Sequence, residues 1–368
     1  MSRLLADIRE LTSLHGPSSR EDKVIGYMAS RLSRYDPSLV VDRLGNVVCR
    51  IGSAQPEAPK LMVFAHMDEI GLIVRKVEPE GFLRFDRVGG VHVNVLPGLR
   101  VDVLGRKGIV SGIIGVTSHH FTKPDEKGVI PSTEKLYVDI GVSSRDEAIE
   151  AGVDVGCMIV YHPDFMELHN GLIANKAMDN RAACAVLLAL AEELHARKEH
   201  LQWDVYLVAC VQEEFNIRGI LPAARCILPD ASIGIDVTPS CDTPDLAGYS
   251  DVSIGKGPAL TMMNFHGRGT LAGVLPDEKL LQRLMDVADR EGIAYQKEIA
   301  LGVITENAYI SLMGEGIPVS NISLPTRYTH TPIETVSLHD VERLKTLLLQ
   351  FALSLNASDR FGKGIGRL

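Results

Sequence analysis

The sequence predicts an α/β fold: a mixed sheet flanked by helices on both faces, interrupted by a small inserted β-barrel. Three observations carry this. Apolar strand runs alternate with helical stretches at both ends of the chain, the pattern of a sheet covered on two sides. From about Leu72 to Tyr161 the chain is instead rich in Val, Gly and short apolar pieces, with turn residues about every 8–12 positions, as in a small barrel or sandwich. The 368 residues are enough for two domains. The expected division is an α/β domain of residues 1–71 plus 162–368 and a β domain of residues 72–161.

The elements follow in order. "MSRLLADIRELTSLHG" reads as a first helix and not a signal peptide, because Asp7 and Glu10 interrupt its apolar residues and no small-residue cleavage site follows. "EDKVIGYMASRLSRY" places Val24, Met28 and Leu32 at helical spacing. "PKLMVFAH" is a short buried strand. In the middle, "GLIVRKVE", "GFLRFDRVGG", "RVDVLGRKGIVSGIIGV", "KLYVDIGV" and "GCMIVYH" are the barrel pieces, and Ser118–Lys135 is a long polar loop. "MDNRAACAVLLALAEELHAR" is a strong helix of Ala and Leu. "WDVYLVACVQEE", "ASIGIDV" and "IPVSNIS" are strand runs. "DEKLLQRLMDVADREG" and "SLHDVERLKTLLLQFALSL" are amphipathic helices, the last opened by Ser337 with Asp340 three residues later, a relative of the capping box.

Composition narrows the function classes. The formal charge is −9 and no basic block occurs, which disfavours nucleic acid as a partner. No apolar run reaches membrane-spanning length, so no membrane partner is expected. The six cysteines (Cys49, Cys157, Cys184, Cys210, Cys226 and Cys241) form no C-x-x-C pair, and a cytoplasmic, reduced protein is expected.

Groups able to do chemistry gather at the ends of strand runs. His66 and Asp68 stand two apart on an extended chain, so both side chains share a face. An imidazole that binds a metal through one nitrogen commonly donates its other N–H to a carboxylate. A surface turn would give the same pattern. Asp179 enters the Ala-rich helix, where an aspartate is ordinarily a cap. Glu213 and Glu214 directly follow the strand run Val205–Val211; one could bind a metal and the other stay free as a base, or both could be a solvated pair. Asp236 ends "SIGID", and His330 lies in "RYTHTP". In an open α/β sheet the carboxyl ends of the strands form the ligand crevice. Two histidines and several carboxylates there suit two divalent ions with one carboxylate bridging.

With these residues in place, "AHMDEIG", "NKAMDNR", "VQEE…RG", "GID" and "RYTHTPIETVSLHDVE" together resemble the tetrahedral (TET-type) aminopeptidases. These are di-metal enzymes that include glutamyl and deblocking aminopeptidases and relatives once labelled endoglucanases. The resemblance covers nearly the whole chain. It implies that His66 and Asp236 bind one metal, Glu214 and His330 the other, and that Asp179 bridges. It makes Glu213 the general base that takes a proton from the bridging water and passes it to the leaving amine, and Asp68 the residue that orients His66. The cofactors would be two divalent ions per subunit, Zn or Co, with Mn an alternative. The insertion would be a PDZ-like dimerisation domain, the assembly a homododecamer, and the substrates short peptides.

Two departures stand out. Family members usually read Q-E-E-V-G-L-R-G where this chain has Phe215, Asn216 and Ile217. If the missing glycine is left-handed, Asn is its least costly replacement. Where relatives have G-G-T-D, this chain has Val303, Ile304, Thr305 and Glu306. That substrate-side change motivates an alternative, a deacylase or amidase acting on small N-acyl compounds. A non-catalytic, metal-stabilised assembly would require a broken ligand set. Glycoside hydrolysis finds no support: it normally needs two carboxylates without metal, and the chain has a single tryptophan, Trp203, for sugar stacking.

Overall fold

The strand Lys60–His66 is the spine of the molecule. In the computed structural model, which describes residues 2–125, 127–267 and 273–364, its side chains alternate between two cores. Leu61, Val63 and Ala65 face the larger one, Met62 and Phe64 the smaller, as the two-residue period of a strand requires. Asp204–Cys210 and Ala231–Pro239 flank it in parallel, and Val319–Arg327 continues the parallel run. Glu334–Ser337, Leu172–Asn175 and Met166–Glu167 extend one side antiparallel, Val47–Ile51 and Val40–Val41 the other. A branch of Ala259–Phe265, Gly273–Val274 and Gln296–Leu301 completes a 12-stranded mixed sheet.

Helices cover both faces, as expected. The larger core packs Arg3–Ser13, Asp22–Leu32, Met178–His195, Glu278–Glu291 and Leu338–Ser354. Met178–His195 lies deepest; its run Ala182–Leu188 is wholly buried, because short alanine side chains let the helix sit close to the sheet. Ile220–Ile227 and Asn307–Ile310 cover the opposite face. The Ser337 hydroxyl accepts from the Asp340 amide, as the capping pattern predicts. The return half of the box is absent: the Asp340 carboxylate accepts from Gly255 N at 2.6 Å and Gly257 N at 2.7 Å. It ties the helix start to a distant loop instead.

Strands Gly71–Val77, Leu83–Val88, Arg100–Gly105, Gly108–Ile114, Val138–Asp139 and Met158–Tyr161 close into a separate barrel. Its core comprises Leu72, Val74, Leu83, Phe85, Val101, Val103 and Ile159, among others. The described residues of the polar loop Ser118–Lys135 are mostly exposed, with a short 3-10 turn at Thr133–Lys135. Several pieces carry no clear sequence signal. Val47–Ile51 and Gln296–Leu301 are short, and Met166–Glu167 pairs over two residues only. Such strands exist through the neighbours they pair with rather than through their own composition.

Where sheet gives way to barrel, a buried ion pair holds the chain. Glu69 is fully buried, and Lys176 Nζ donates to its carboxylate at 2.6 and 2.8 Å, while Gly16 N donates at 2.9 Å. Lys176 also reaches Leu14 O at 3.0 Å. Arg181, equally buried, donates to the carbonyls of Met67, Leu11, Leu14 and Gly16. Two basic side chains thus bind the N-terminal segment to the chain just past His66. Removing one partner of such a pair strands a buried charge, at a cost of about 3–5 kcal/mol; Arg181 at 3.6 Å from Glu69 places this case near the lower end. Lys176→Met is therefore expected to lower stability in chemical denaturation by about 3 kcal/mol. Glu69→Gln combined with Lys176→Met should recover part of that loss. Additive losses would show that the two side chains are not energetically coupled.

Candidate active site

Strand period and register bring the first residues together. His66 lies opposite Cys210 in the parallel pairing, on the same side as Met62 and Phe64. The pairing of Lys60–His66 with Ala231–Pro239 ends at Phe64 and Gly234, two residues before His66 and Asp236. Both side chains therefore leave the carboxyl edge of the sheet on one face, in the crevice that open α/β sheets offer to ligands. Glu213 and Glu214 follow the neighbouring strand. Asp179 precedes the regular part of its helix: its φ of −77° and ψ of 99° are not helical, so it projects into the crevice instead of capping.

All the metal candidates meet. His66 Nε2 is 3.1 Å from Asp179 Oδ1, and 3.9 Å from both Glu213 Oε2 and Asp236 Oδ1. His330 Nε2 is 3.4 Å from Asp179 Oδ2 and 3.5 Å from Glu214 Oε1. Asp179 thus turns one oxygen to each histidine. Glu213 and Glu214, adjacent in sequence, face different neighbours: ligand atoms of His66, Asp179 and Glu214 form one group, those of Glu213, Asp236 and Glu306 another, each within 4.8 Å. The crevice opens into a cavity of about 860 Å³.

Asp68 contacts both His66 and the turn that carries the two glutamates. The ring Nδ1 lies 3.1 Å from the Asp68 carbonyl oxygen and 3.4 Å from Asp68 Oδ1. The carboxylate also accepts from the amides of Glu213 at 2.9 Å and Glu214 at 3.1 Å, and from Ser18 Oγ at 2.6 Å. It fixes the turn that presents both glutamates. In that turn Asn216 has φ 67°, the left-handed conformation anticipated for a glycine replacement, and Ile217 follows at φ 55°.

Several contributors were not singled out from sequence. Glu334, buried within the same "THTPIE" stretch as His330, accepts from His330 N at 2.7 Å and Asp179 N at 2.9 Å. It does for that pair of residues what Asp68 does for the two glutamates. Glu306, noted from sequence only as part of the Val303–Glu306 departure, belongs to the acidic cluster, with Cys210 Sγ donating to it at 3.1 Å. Gly89 and Gly90 come from the barrel. His330 Nδ1 donates to Gly90 O at 3.0 Å, which leaves Nε2 free toward Asp179. A Cβ on Gly90 would lie 2.5 Å from His330 Nδ1, and one on Gly89 would lie 3.3 Å from Glu214 Oε2. The paired glycines in "RVGGVH" were the available signal, since consecutive small residues mark a close backbone approach.

The charge balance fits divalent cations. Burial pushes the carboxyls of Glu213, Asp236 and Glu306 upward, toward the neutral form. Burial, followed by the Asp179 charge, pushes Glu214 to about 7. The histidines respond in the opposite sense. Burial opposes a charge on His66, yet Asp179 and Asp68 outweigh it and hold its pKa well above the ordinary value. Burial likewise opposes a charge on His330, yet Glu214 and Asp179 outweigh it and raise the pKa to about 11. Five carboxyl groups beside two imidazoles could all ionise in such a crevice only if cations offset their charge. Oxygen and imidazole donors suit Zn, Co or Mn.

A barrel-bearing α/β sheet with acidic and histidine side chains at its carboxyl edge defines the class: a metal-dependent hydrolase. Comparison with known proteins narrows it. The profile of the M42 glutamyl aminopeptidase family matches residues 45–347, and the chain belongs to that family. SgcX of Escherichia coli (strain K12) is 47% identical over 335 residues, covering 91% of this chain and 89% of that protein. The structure of aminopeptidase APDkam598 from the archaeon Desulfurococcus kamchatkensis superposes with a TM-score of 0.89 at 34% identity, covering 96% of each chain. That of the Pyrococcus horikoshii TET1 peptidase, which can assemble into a tetrahedron or a large octahedral shell, gives 0.83 at 26% identity over 96% of this chain and all of that one. The protein is a metal-dependent aminopeptidase.

The Gly90 contact generates a test. Gly90→Ala should displace His330 and lower kcat/KM by about 10–100-fold, the range seen when an outer partner of a metal-binding histidine is lost. The melting temperature should change little, because the clash is confined to one ring. Unchanged activity with unchanged metal content would show that the barrel does not position His330.

Proposed function

We propose that this aminopeptidase releases N-terminal residues from short peptides, with Glu213 as the general base. The observation that carries this reading is the split of the two adjacent glutamates. Glu214 turns toward His330 and Asp179, while Glu213 lies between His66, Asp236 and Glu306 at the cavity wall. A carboxylate so placed can take a proton from an attacking water and deliver it to the leaving amine.

His66 and Asp236 would hold one divalent cation and His330 and Glu214 the other, with Asp179 shared. The two oxygens of Asp179, each facing a different imidazole, support this. When bound, two such cations would supply Lewis-acid stabilisation of charge developing on the scissile carbonyl. The protein supplies orientation. Asp68 holds the amides of Glu213 and Glu214; Glu334 holds those of Asp179 and His330; Gly90 sets the His330 ring. The deacylase alternative gains no comparable observation, and the non-catalytic one lacks the broken ligand set it needs. Trp203 is buried in the core, its indole N–H donating to Asn356 O at 2.8 Å, so it offers no sugar platform.

We further propose self-association through the barrel, toward a homododecamer. The barrel displays Ile109, Ile113, Val116, Phe121, Val129 and Ile130 as exposed apolar side chains, a surface that solvent leaves uncovered at a cost. A cytoplasmic setting suits the chain. Its six cysteines are all unpaired, as in a reducing compartment. Among the described residues no helix is long and apolar enough to cross a membrane.

Glu213→Gln should lower turnover of a leucine p-nitroanilide by at least about 100-fold, the lower range for loss of a general base. Elemental analysis should show metal content unchanged. Full activity would refute the assignment. The N-acetylated form of the same substrate should release neither p-nitroaniline nor acetate; preferential release of acetate from it would favour the deacylase. Ile109→Glu combined with Ile113→Glu should reduce the solution mass measured by light scattering, and an unchanged mass would place the interface elsewhere.

A further inference from the structure

Gly302, Val303 and Ile304 form one wall of the cavity, and the residues that follow them are anchored by buried hydrogen bonds. Thr305 is buried, and its hydroxyl accepts from Asn321 Nδ2 at 2.8 Å and Asn264 Nδ2 at 3.3 Å. Glu306 accepts from Cys210 Sγ at 3.1 Å. Asn307 is fully buried; its amide donates to Ser320 O at 2.9 Å and to Asn321 Oδ1 at 2.6 Å, and its oxygen accepts from Ser232 Oγ at 3.1 Å. Three consecutive polar residues are thus locked into the sheet. The two before them, Val303 and Ile304, line the cavity next to the acidic cluster. Both are β-branched and stiff at χ1, so they form a fixed surface instead of an adaptable one.

Asn216, His266 and Thr329 are neutral or titratable polar members of the lining, and the apolar wall continues past the loop. Ile217 and Val237 are buried apart from the edge they turn to the cavity, at 6% and 7% exposure. Tyr309 packs with Ile304 against the smaller core and lines the cavity beside it. Every carboxylate of the lining belongs to the cluster described above. Among the described lining residues none is left over to pair with a cationic substrate side chain, and there is no lysine or arginine.

We infer that Val303 and Ile304 are specificity-determining residues that select peptides whose N-terminal side chain is uncharged and apolar, such as leucine or methionine, over those beginning with glutamate or lysine. An aliphatic side chain gains by leaving water for the wall of Ile217, Val237, Val303, Ile304 and Tyr309. Among the described lining residues, a glutamate side chain would be desolvated beside an acidic cluster with no lysine or arginine to pair with, and a lysine would be desolvated without a carboxylate outside that cluster. The inference rests on the aminopeptidase reading and adds to it the class of residue released.

A panel of Leu-, Met-, Glu- and Lys-p-nitroanilides, assayed with the wild-type protein and Zn, Co or Mn added separately, tests this. The expected result is kcat/KM for Leu and Met at least about 100-fold above Glu and Lys, the scale at which a site discriminates against an unpaired polar group. Ile304→Arg should narrow or reverse the Leu-to-Glu ratio by placing a cation in the wall. Cleavage of Glu or Lys as fast as Leu in the wild type would overturn the inference and leave the aminopeptidase reading intact. No cleavage of any free-amine substrate with any of the metals would sink both.

Discussion

Asp179 stands between His66 and His330 with one carboxylate oxygen toward each, and the architecture around it keeps that arrangement in a buried, acidic crevice. Burial alone would push such carboxyls toward neutrality. Here the imidazoles hold Asp179 below the ordinary carboxylate range, although burial works against them. The remaining acids are not so compensated and are pushed toward the neutral form, so cations would be needed for them to ionise. The site is electrostatically incomplete as a set of side chains, which is the usual condition of a protein surface shaped for metal.

Holding like charges together requires a support that does not itself yield. Two buried acids provide it from opposite sides. Asp68 gathers the amides of Glu213 and Glu214 and the Ser18 hydroxyl, and Glu334 gathers the amides of Asp179 and His330. Each converts a backbone turn into a fixed mount, as outer partners of metal-binding groups commonly do. Behind them, Lys176 and Arg181 bind Glu69 and the carbonyls of the N-terminal segment, so the first helix closes the back of the site. The barrel contributes too. Its Gly89–Gly90 turn approaches His330 and Glu214 closely enough that a side chain there would collide. The barrel therefore contributes a turn to the candidate site and also exposes apolar side chains such as Ile109 and Ile113.

The same logic separates catalysis from specificity along the chain. Thr305, Glu306 and Asn307 are anchored in the sheet, whereas Val303 and Ile304, two and one residues before them, face the cavity. A loop can change what it shows to substrate while its root stays fixed, which is how substrate preference varies on a constant catalytic frame.

Much of this was legible in the sequence. The seven-residue strand Lys60–His66 and the helices Met178–His195, Glu278–Glu291 and Leu338–Ser354 announced themselves by period and composition. His66, Asp179, Glu213, Glu214, Asp236 and His330 were visible as acids and histidines at the ends of apolar runs, because a strand's own periodicity decides which side chains leave its carboxyl edge on which face. What the sequence could not determine depends on contacts between distant segments. That Glu69 pairs with Lys176, that Glu334 spans Asp179 and His330, and that Gly90 meets His330 across 240 positions are facts of packing. Local sequence carries periodicity and propensity, but a buried acid finds its partners only when the fold has brought their backbones together, so the ligand types were readable one by one and their mounting was decided by the tertiary structure.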